Sequence, residues 1–212
     1  MNFMVMKRLA LSACAAALLG ASLSACVPLL VGGAATGGAL VASDRRTSGA
    51  QLDDEGIELR AVSRIRSELG TRVRVNLTSY NRQVLLTGEV PNLQDKQLVE
   101  QVVARIDNVA SVVNELAVLN SPSLVERSSD TLLTGRVKAM LLDAKDLQSN
   151  AFKVVTERGT TYLMGRVTAS EADRATEVVR TTPGVQKVIR IFEIISPDEL
   201  SRIQLSPKPA KP

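Results

Sequence analysis

Few residues of this 212-residue chain have the type and spacing for bond-making chemistry. Histidine is absent, which excludes Ser-His-Asp and Cys-His arrangements, imidazole metal ligation and a histidine pH switch. Cys14 and Cys26 are the only cysteines, too few for a multi-cysteine zinc or iron–sulfur site. No glycine-rich loop ends in Gly-Lys-Ser to cradle a phosphate. The carboxylates of Glu55, Glu58, Asp143 and Asp146 fall at surface-like helix positions, where solvated pairs far outnumber acid–base dyads. The expectation is therefore no catalytic residue, no metal and no cofactor. One reactive group stands out. Cys26 ends the run Leu23-Ser24-Ala25-Cys26, and a cysteine thiolate is a nucleophile able to accept an alkyl group.

The elements around that cysteine explain its position. Lys7 and Arg8 precede an apolar run from Leu9 to Leu19, and small residues follow. This order describes a secretory signal over residues 1–25, too short to span a bilayer as a stable helix. Leu23-Ser24-Ala25-Cys26 resembles the lipobox of bacterial lipoproteins. The resemblance implies that Cys26 is the lipid-attachment residue, that the chain is cut before it, and that its new amine is acylated. It also implies an outer-membrane location facing the periplasm, because Val27 rather than Asp follows the cysteine. Each buried acyl CH₂ favours membrane binding by about 0.8 kcal/mol, so several chains anchor durably. The residues alone also fit an ordinary secreted chain with an incidental cysteine. Val27 to Ala42 is uncharged, holds four glycines and has Pro28 near its start, a poor membrane span. Residues 26–52 read as the lipidated cysteine and a flexible tether, with a glycine-mediated self-association face as the other option.

The remainder repeats itself at an offset of about 77 residues. Leu85-Leu86-Thr87-Gly88-Glu89-Val90 matches Tyr162-Leu163-Met164-Gly165-Arg166-Val167, and Asp107-Asn108-Val109 matches Pro183-Gly184-Val185. Asp53-Asp54-Glu55 suits an acidic helix start, Ile57, Ala61, Ile65 and Leu69 recur at helical spacing, and Gly70 stops the run. Val73, Val75 and Leu77 alternate with polar residues, Tyr80-Asn81-Arg82 reads as a hairpin turn, and Val84 to Val90 returns. Pro91-Asn92 introduces a helix with Leu98, Val99, Val102, Val103 and Ile106 on one side, and Val109 to Leu119 closes the unit as a strand. In the second copy Asp130 reads as the cap of a helix with a core stripe of Leu133, Val137, Met140 and Leu141. Strands over Ala151–Thr156 and Thr161–Val167 follow. A helix opened by Ser170-Glu171-Ala172-Asp173 buries Ala172, Ala175, Val178 and Val179, and Val185 to Ile195 is the last strand. Ser196-Pro197 breaks it, and residues 201–212 are expected to be a disordered Pro/Lys tail.

Aromatic residues make up only 2% of the chain, so the core must be aliphatic. Each unit of about 65 residues lies near the lower limit for independent stability. The two should therefore pack together. Ile189 and Ile191 point to one face of the last strand while Phe192 and Ile194 point to the other, so both faces of that sheet should be covered.

Two αββαβ units, each with a strand ending Leu-x-Gly-x-Val, a helix, a Gly-Val-like turn and an apolar strand, resemble BON domains. The resemblance implies an α+β fold of two tandem BON domains, helices packed on a small mixed sheet, over residues 53–120 and 121–200. It implies binding to a phospholipid membrane, preferably anionic, support of outer-membrane integrity, and no catalysis.

Charge does not locate such a site. Without Lys7, Arg8, Lys208 and Lys211 the chain holds 22 basic and 22 acidic residues. Residues 44–120 carry 10 basic and 11 acidic, and residues 121–205 carry 12 and 11. Anion preference must then come from a local patch. Leu132 lies beside the core stripe with Arg136 and Lys138 nearby, an apolar group among cations suited to the headgroup–acyl boundary. Leu132, Leu133, Arg136 and Lys138 are the candidate lipid contacts. Packing of Leu132 on the first unit, or on the linker from Pro122 to Arg127, is the structural alternative. Gly88, Gly165 and Gly184 read as structural glycines at strand ends and turns. The rival function is an envelope protein–protein adaptor docking through Val185 to Ile195. Nucleic acid is not an expected partner, since stacking aromatics and a clustered basic face are both missing.

Overall fold

The computed structural model describes residues 44–119 and 124–205. The expected signal segment, Cys26, the glycine-rich stretch and the tail from residue 206 lie outside the described residues.

The first unit runs α1 (Ser48–Leu69), β1 (Arg74–Tyr80), β2 (Gln83–Val90), α2 (Leu93–Ala104), β3 (Ser111–Asn114) and β4 (Ala117–Val118). The second runs α3 (Leu124–Asp143), a 3-10 turn (Ser149–Ala151), β5 (Lys153–Glu157), β6 (Thr160–Val167), α4 (Ala169–Arg180) and β7 (Lys187–Ile194), then α5 (Pro197–Leu205). Each sheet is mixed: β1 pairs antiparallel with β2, and β3 and β4 pair parallel with it. The second sheet likewise pairs β5 antiparallel and β7 parallel with the central β6. The fold is α+β, as the repeat implied.

Several local expectations need correction. Helix α1 does not start at Asp53. Thr47 caps it, its hydroxyl accepting from the Ala50 N–H at 3.1 Å, so residues taken for tether belong to the helix. Asp54 lies buried in the helix instead, and its carboxylate holds the β1–β2 hairpin by accepting from the Asn81 and Arg82 N–H groups at 2.8 and 2.7 Å. Both turn residues adopt the left-handed region, φ 50° and 66°, the geometry of a two-residue hairpin loop. Asp130 is no helix cap either. It sits inside α3 and accepts from the Arg158 and Gly159 N–H groups at 2.7 and 3.0 Å, repeating the bracket of Asp54. The cap of α4 is Thr168, paired with Glu171 in a full capping box, rather than Ser170. Met140 is 37% exposed and outside the core stripe. The expected strand Val109–Leu119 is broken into two, because the Asn114 side chain accepts from the Leu116 N–H at 3.2 Å, while the register with β2 is the same on both sides of the break. Pro197 breaks β7 but then opens α5, so residues 201–205 are helical, proline being favoured in a first helical turn.

The core has three compartments. α1 and α2 cover one face of the first sheet around Ile57, Ala61, Val84, Leu86, Val99 and Val103. α3 and α4 cover one face of the second around Leu133, Val137, Leu163, Val167, Ala175 and Val179. The two remaining sheet faces meet through Tyr80, Leu85, Tyr162, Met164 and Ile191, with Val113, Val155 and Ile189 beside them. The layer order is helix, sheet, sheet, helix. Ile189 and Ile191 line the seam between the units while Phe192 packs under the helices, as the two-sided strand implied.

Candidate functional site

Helix α3 carries two stripes. Leu133, Val137 and Leu141 are 6%, 0% and 1% exposed and form the inner one. On the outer side Leu132 and Leu142 are 71% and 69% exposed. Positions 132, 135, 139 and 142 share that side at 3- and 4-residue steps, and Gly135 and Ala139 between the leucines are exposed. A methyl group added at Gly135 would meet nothing within 4 Å. The result is an apolar strip in water with cations at its margins.

Leu132 thus stands where the sequence placed it. Leu133 does not share its outward face: the helical phase turns it into the core, where it cannot touch a bilayer. Arg136 is exposed, and its guanidinium Nη1 donates to the Pro183 carbonyl at 2.6 Å, which fixes the cation beside Leu132. Lys138 is exposed on the other margin. Leu142 was missed as a site residue. In Leu141-Leu142 only the phase of the helix separates core from surface.

The glycines have structural causes. Gly184, at φ 100°, lets its turn approach α3, since a Cβ there would lie 3.2 Å from Leu133 Cδ1 and 3.3 Å from Arg136 Nη1. At Gly88, φ 113°, a Cβ would stand 2.1 Å from the Arg74 carbonyl oxygen. At Gly165 it would stand 2.5 Å from the Ala151 carbonyl oxygen.

Two polar clusters hold the units in register, and neither was foreseen. Residues 44–46 form a strap. Arg45, 4% exposed, donates to both Glu171 oxygens, to Gln148 Oε1 and to the Arg166 carbonyl of the second unit. Arg46 donates to Asp54 of the first unit at 2.8 Å and covers the Tyr80 ring at 4.4 Å. Burial pushes the Tyr80 phenol up to about 12. The second cluster lies in the seam. Arg74 bridges Glu89 of its own sheet and Glu157 of the other, and Arg158 reaches Glu89 at 3.4 Å. Asn76 Nδ2 adds a bond to Glu157 at 3.0 Å. Hydrogen bonding by Glu89 raises the Arg74 guanidinium above its ordinary value.

Among the described residues no three His, Cys, Asp or Glu side chains converge to hold a metal ion. No described helix is long and apolar enough to cross a membrane.

The BON domain model matches residues 53–120 and 129–195. The outer membrane lipoprotein DolP of Haemophilus influenzae is 36% identical over 184 residues, spanning 85% of this chain and 95% of that protein. A 21 kDa hemolysin of Actinobacillus pleuropneumoniae is 30% identical over 154 residues, 72% of this chain and 79% of its own length. The C-terminal domain of CdsD, a structural protein of the type III secretion system of Chlamydia trachomatis, superposes with a TM-score of 0.28 at 13% identity over 65% of this chain and 96% of that one. The repeat, the mixed sheets and the matched residues agree, and the chain belongs to the BON-domain family as a two-domain, DolP-like member.

Proposed function

We propose that this chain is an outer-membrane lipoprotein, anchored through Cys26 and facing the periplasm, whose second BON domain lays α3 on phospholipid and so supports envelope integrity. The observation that carries the reading is the outer strip of α3, with Leu132 and Leu142 both more than two-thirds exposed and Arg136 and Lys138 at its edges. Moving one leucine side chain from water into an apolar phase is favourable by about 1.5–3 kcal/mol, enough for measurable adsorption when two act together. Cations beside them favour anionic headgroups. The similarity to an outer membrane lipoprotein supports the location and the anchor.

The test uses the chain with Cys26→Ser, floated on liposomes with and without phosphatidylglycerol. Adsorption that rises with the anionic lipid and drops about tenfold or more in Leu132→Glu or Leu142→Glu is expected. Equal flotation of parent and variants would remove this site.

The adaptor reading relied on both apolar faces of β7. Ile189 and Ile191 are spent in the seam between the units, which leaves Ile194, 56% exposed, as its main large apolar group. That loss favours the lipid reading.

A further inference from the structure

Helix α1 also keeps an outer seam, and nothing in the lipid reading uses it. Leu52, Leu59 and Val62 are 69%, 75% and 56% exposed. With Glu55 and Arg66, also exposed, they occupy positions 52, 55, 59, 62 and 66. Those steps of three and four residues are the a/d spacing by which one helix seats against another. α1 and α3 cover opposite outer layers of the four-layer stack. A flat bilayer under α3 therefore leaves the α1 seam on the far side of the molecule.

We propose that this seam pairs with the same seam of a second copy, antiparallel, about a two-fold axis between Arg60 and Ala61. In an antiparallel helix pair each a position faces a d position of the partner. That register sets Leu59 against Val62 of the second copy, twice, at the centre. It sets Glu55 against Arg66 of the second copy, once on each flank. Among the described residues neither Glu55 nor Arg66 has an ion pair within the chain, so each is available for one across the axis. The same register brings Leu52 of the second copy level with Leu69 and Gly70. An open groove of about 400 Å³ lies there, lined by Val62, Ile65, Arg66, Gly70, Val73 and Val75 among others. Charge order and groove position agree on one register, and a two-fold axis makes both satisfy themselves twice. With three apolar side chains from each copy the contact is small, in the class of weak, reversible pairs. The pairing does not depend on the lipid reading of α3.

The experiment is sedimentation equilibrium of the full chain in density-matched detergent, with parallel capture between differently tagged copies. The wild type associates reversibly. Glu55→Arg alone sets arginine against arginine at both flanks, and Arg66→Glu alone sets glutamate against glutamate, so each self-associates about tenfold more weakly. Mixed together, the two variants restore opposite charges at both flanks and capture each other with wild-type strength. Equal melting temperatures show that these exposed substitutions leave the fold intact. A wild type that stays monomeric, or a mixture that pairs no better than either variant alone, overturns the proposal. So does a Leu59→Glu variant that floats less on phosphatidylglycerol liposomes yet associates like the parent, because the seam then meets lipid.

Discussion

Arg45 Nη2 lies 2.7 Å from Glu171 Oε1, across 126 residues of chain. The arginine side chain is 3% exposed and the glutamate 17%. Glu171 also completes the capping box of α4 by accepting from the Thr168 N–H at 2.9 Å. One carboxylate thus caps the start of a helix and receives the strap that ties the first unit to the second.

Breaking such a pair leaves a charge in poor solvent. Arg45→Ala should lower unfolding stability by about 3–5 kcal/mol, the range for removing one partner of a buried pair. Glu171→Gln keeps the shape of the capping box and should lose less. Chemical denaturation of both variants measures the order, and Arg45→Ala matching the parent would show the strap to be passive.

Acid should open the same contact. Hydrogen bonding from Arg45, with help from Thr168, holds the Glu171 carboxyl below its ordinary value of 4.5, against the opposing effect of burial. A carboxyl lowered in the folded state contributes stability that is present above its unfolded value and lost as pH falls through its folded one. The melting temperature should therefore fall as pH drops below about 4.5, and Arg45→Ala should flatten that fall. Asp146 is lowered too, by Arg174, but both side chains of that pair are exposed and 0.5 M salt should screen it out.

In the seam, Arg74 serves two buried carboxylates at once. Arg74→Ala leaves Glu89, with its side chain 1% exposed, to Arg158 alone and strips Glu157 of its ion pair. A loss of about 3–5 kcal/mol is expected. Arg158, 34% exposed, should matter less, because water already shares its charge. Comparing the two alanine variants by thermal melting separates these roles.

The glycines divide into two groups. Gly165→Val and Gly88→Ala both drive a side chain into a backbone oxygen, and each should destabilise by about 2 kcal/mol or more. Gly135→Ala meets open space on α3 and should stabilise by up to about 1 kcal/mol through helix propensity. A Gly165→Val protein that melts like the parent would argue against the structural reading of that residue.

Most of the fold was readable because the helices bury one face each, and that periodicity survives in sequence. Ile57, Ala61, Ile65 and Leu69 line up whether or not the structure is known, and so do Val178 and Val179. Asp54 and Asp130 were misread for a physical reason. An acidic residue ahead of an apolar stripe ordinarily serves its own helix terminus, whereas these two serve hairpin turns that arrive some 27 residues later. The seam charges hid in the alternation of their strands. Arg74, Glu89 and Glu157 come together only when the second sheet is laid over the first. Leu132 was found by subtracting the core stripe. Arg45 carried no signal, since one arginine before a helix resembles any other.

The strap also fixes an order of events. A chain that emerges amino end first presents Arg45 and Arg46 early, and Asp54 and Tyr80 soon after, so Arg46 can settle on the first unit alone. Glu171 and the Arg166 carbonyl emerge some 120 residues later. Until then the first unit waits with a half-closed amino end and a bare sheet face, exposed to wrong partners. The last quarter of the chain is thus the closing piece for the first residues of the fold, and a truncation that spares the whole first BON domain would still release an apolar sheet and an orphaned arginine.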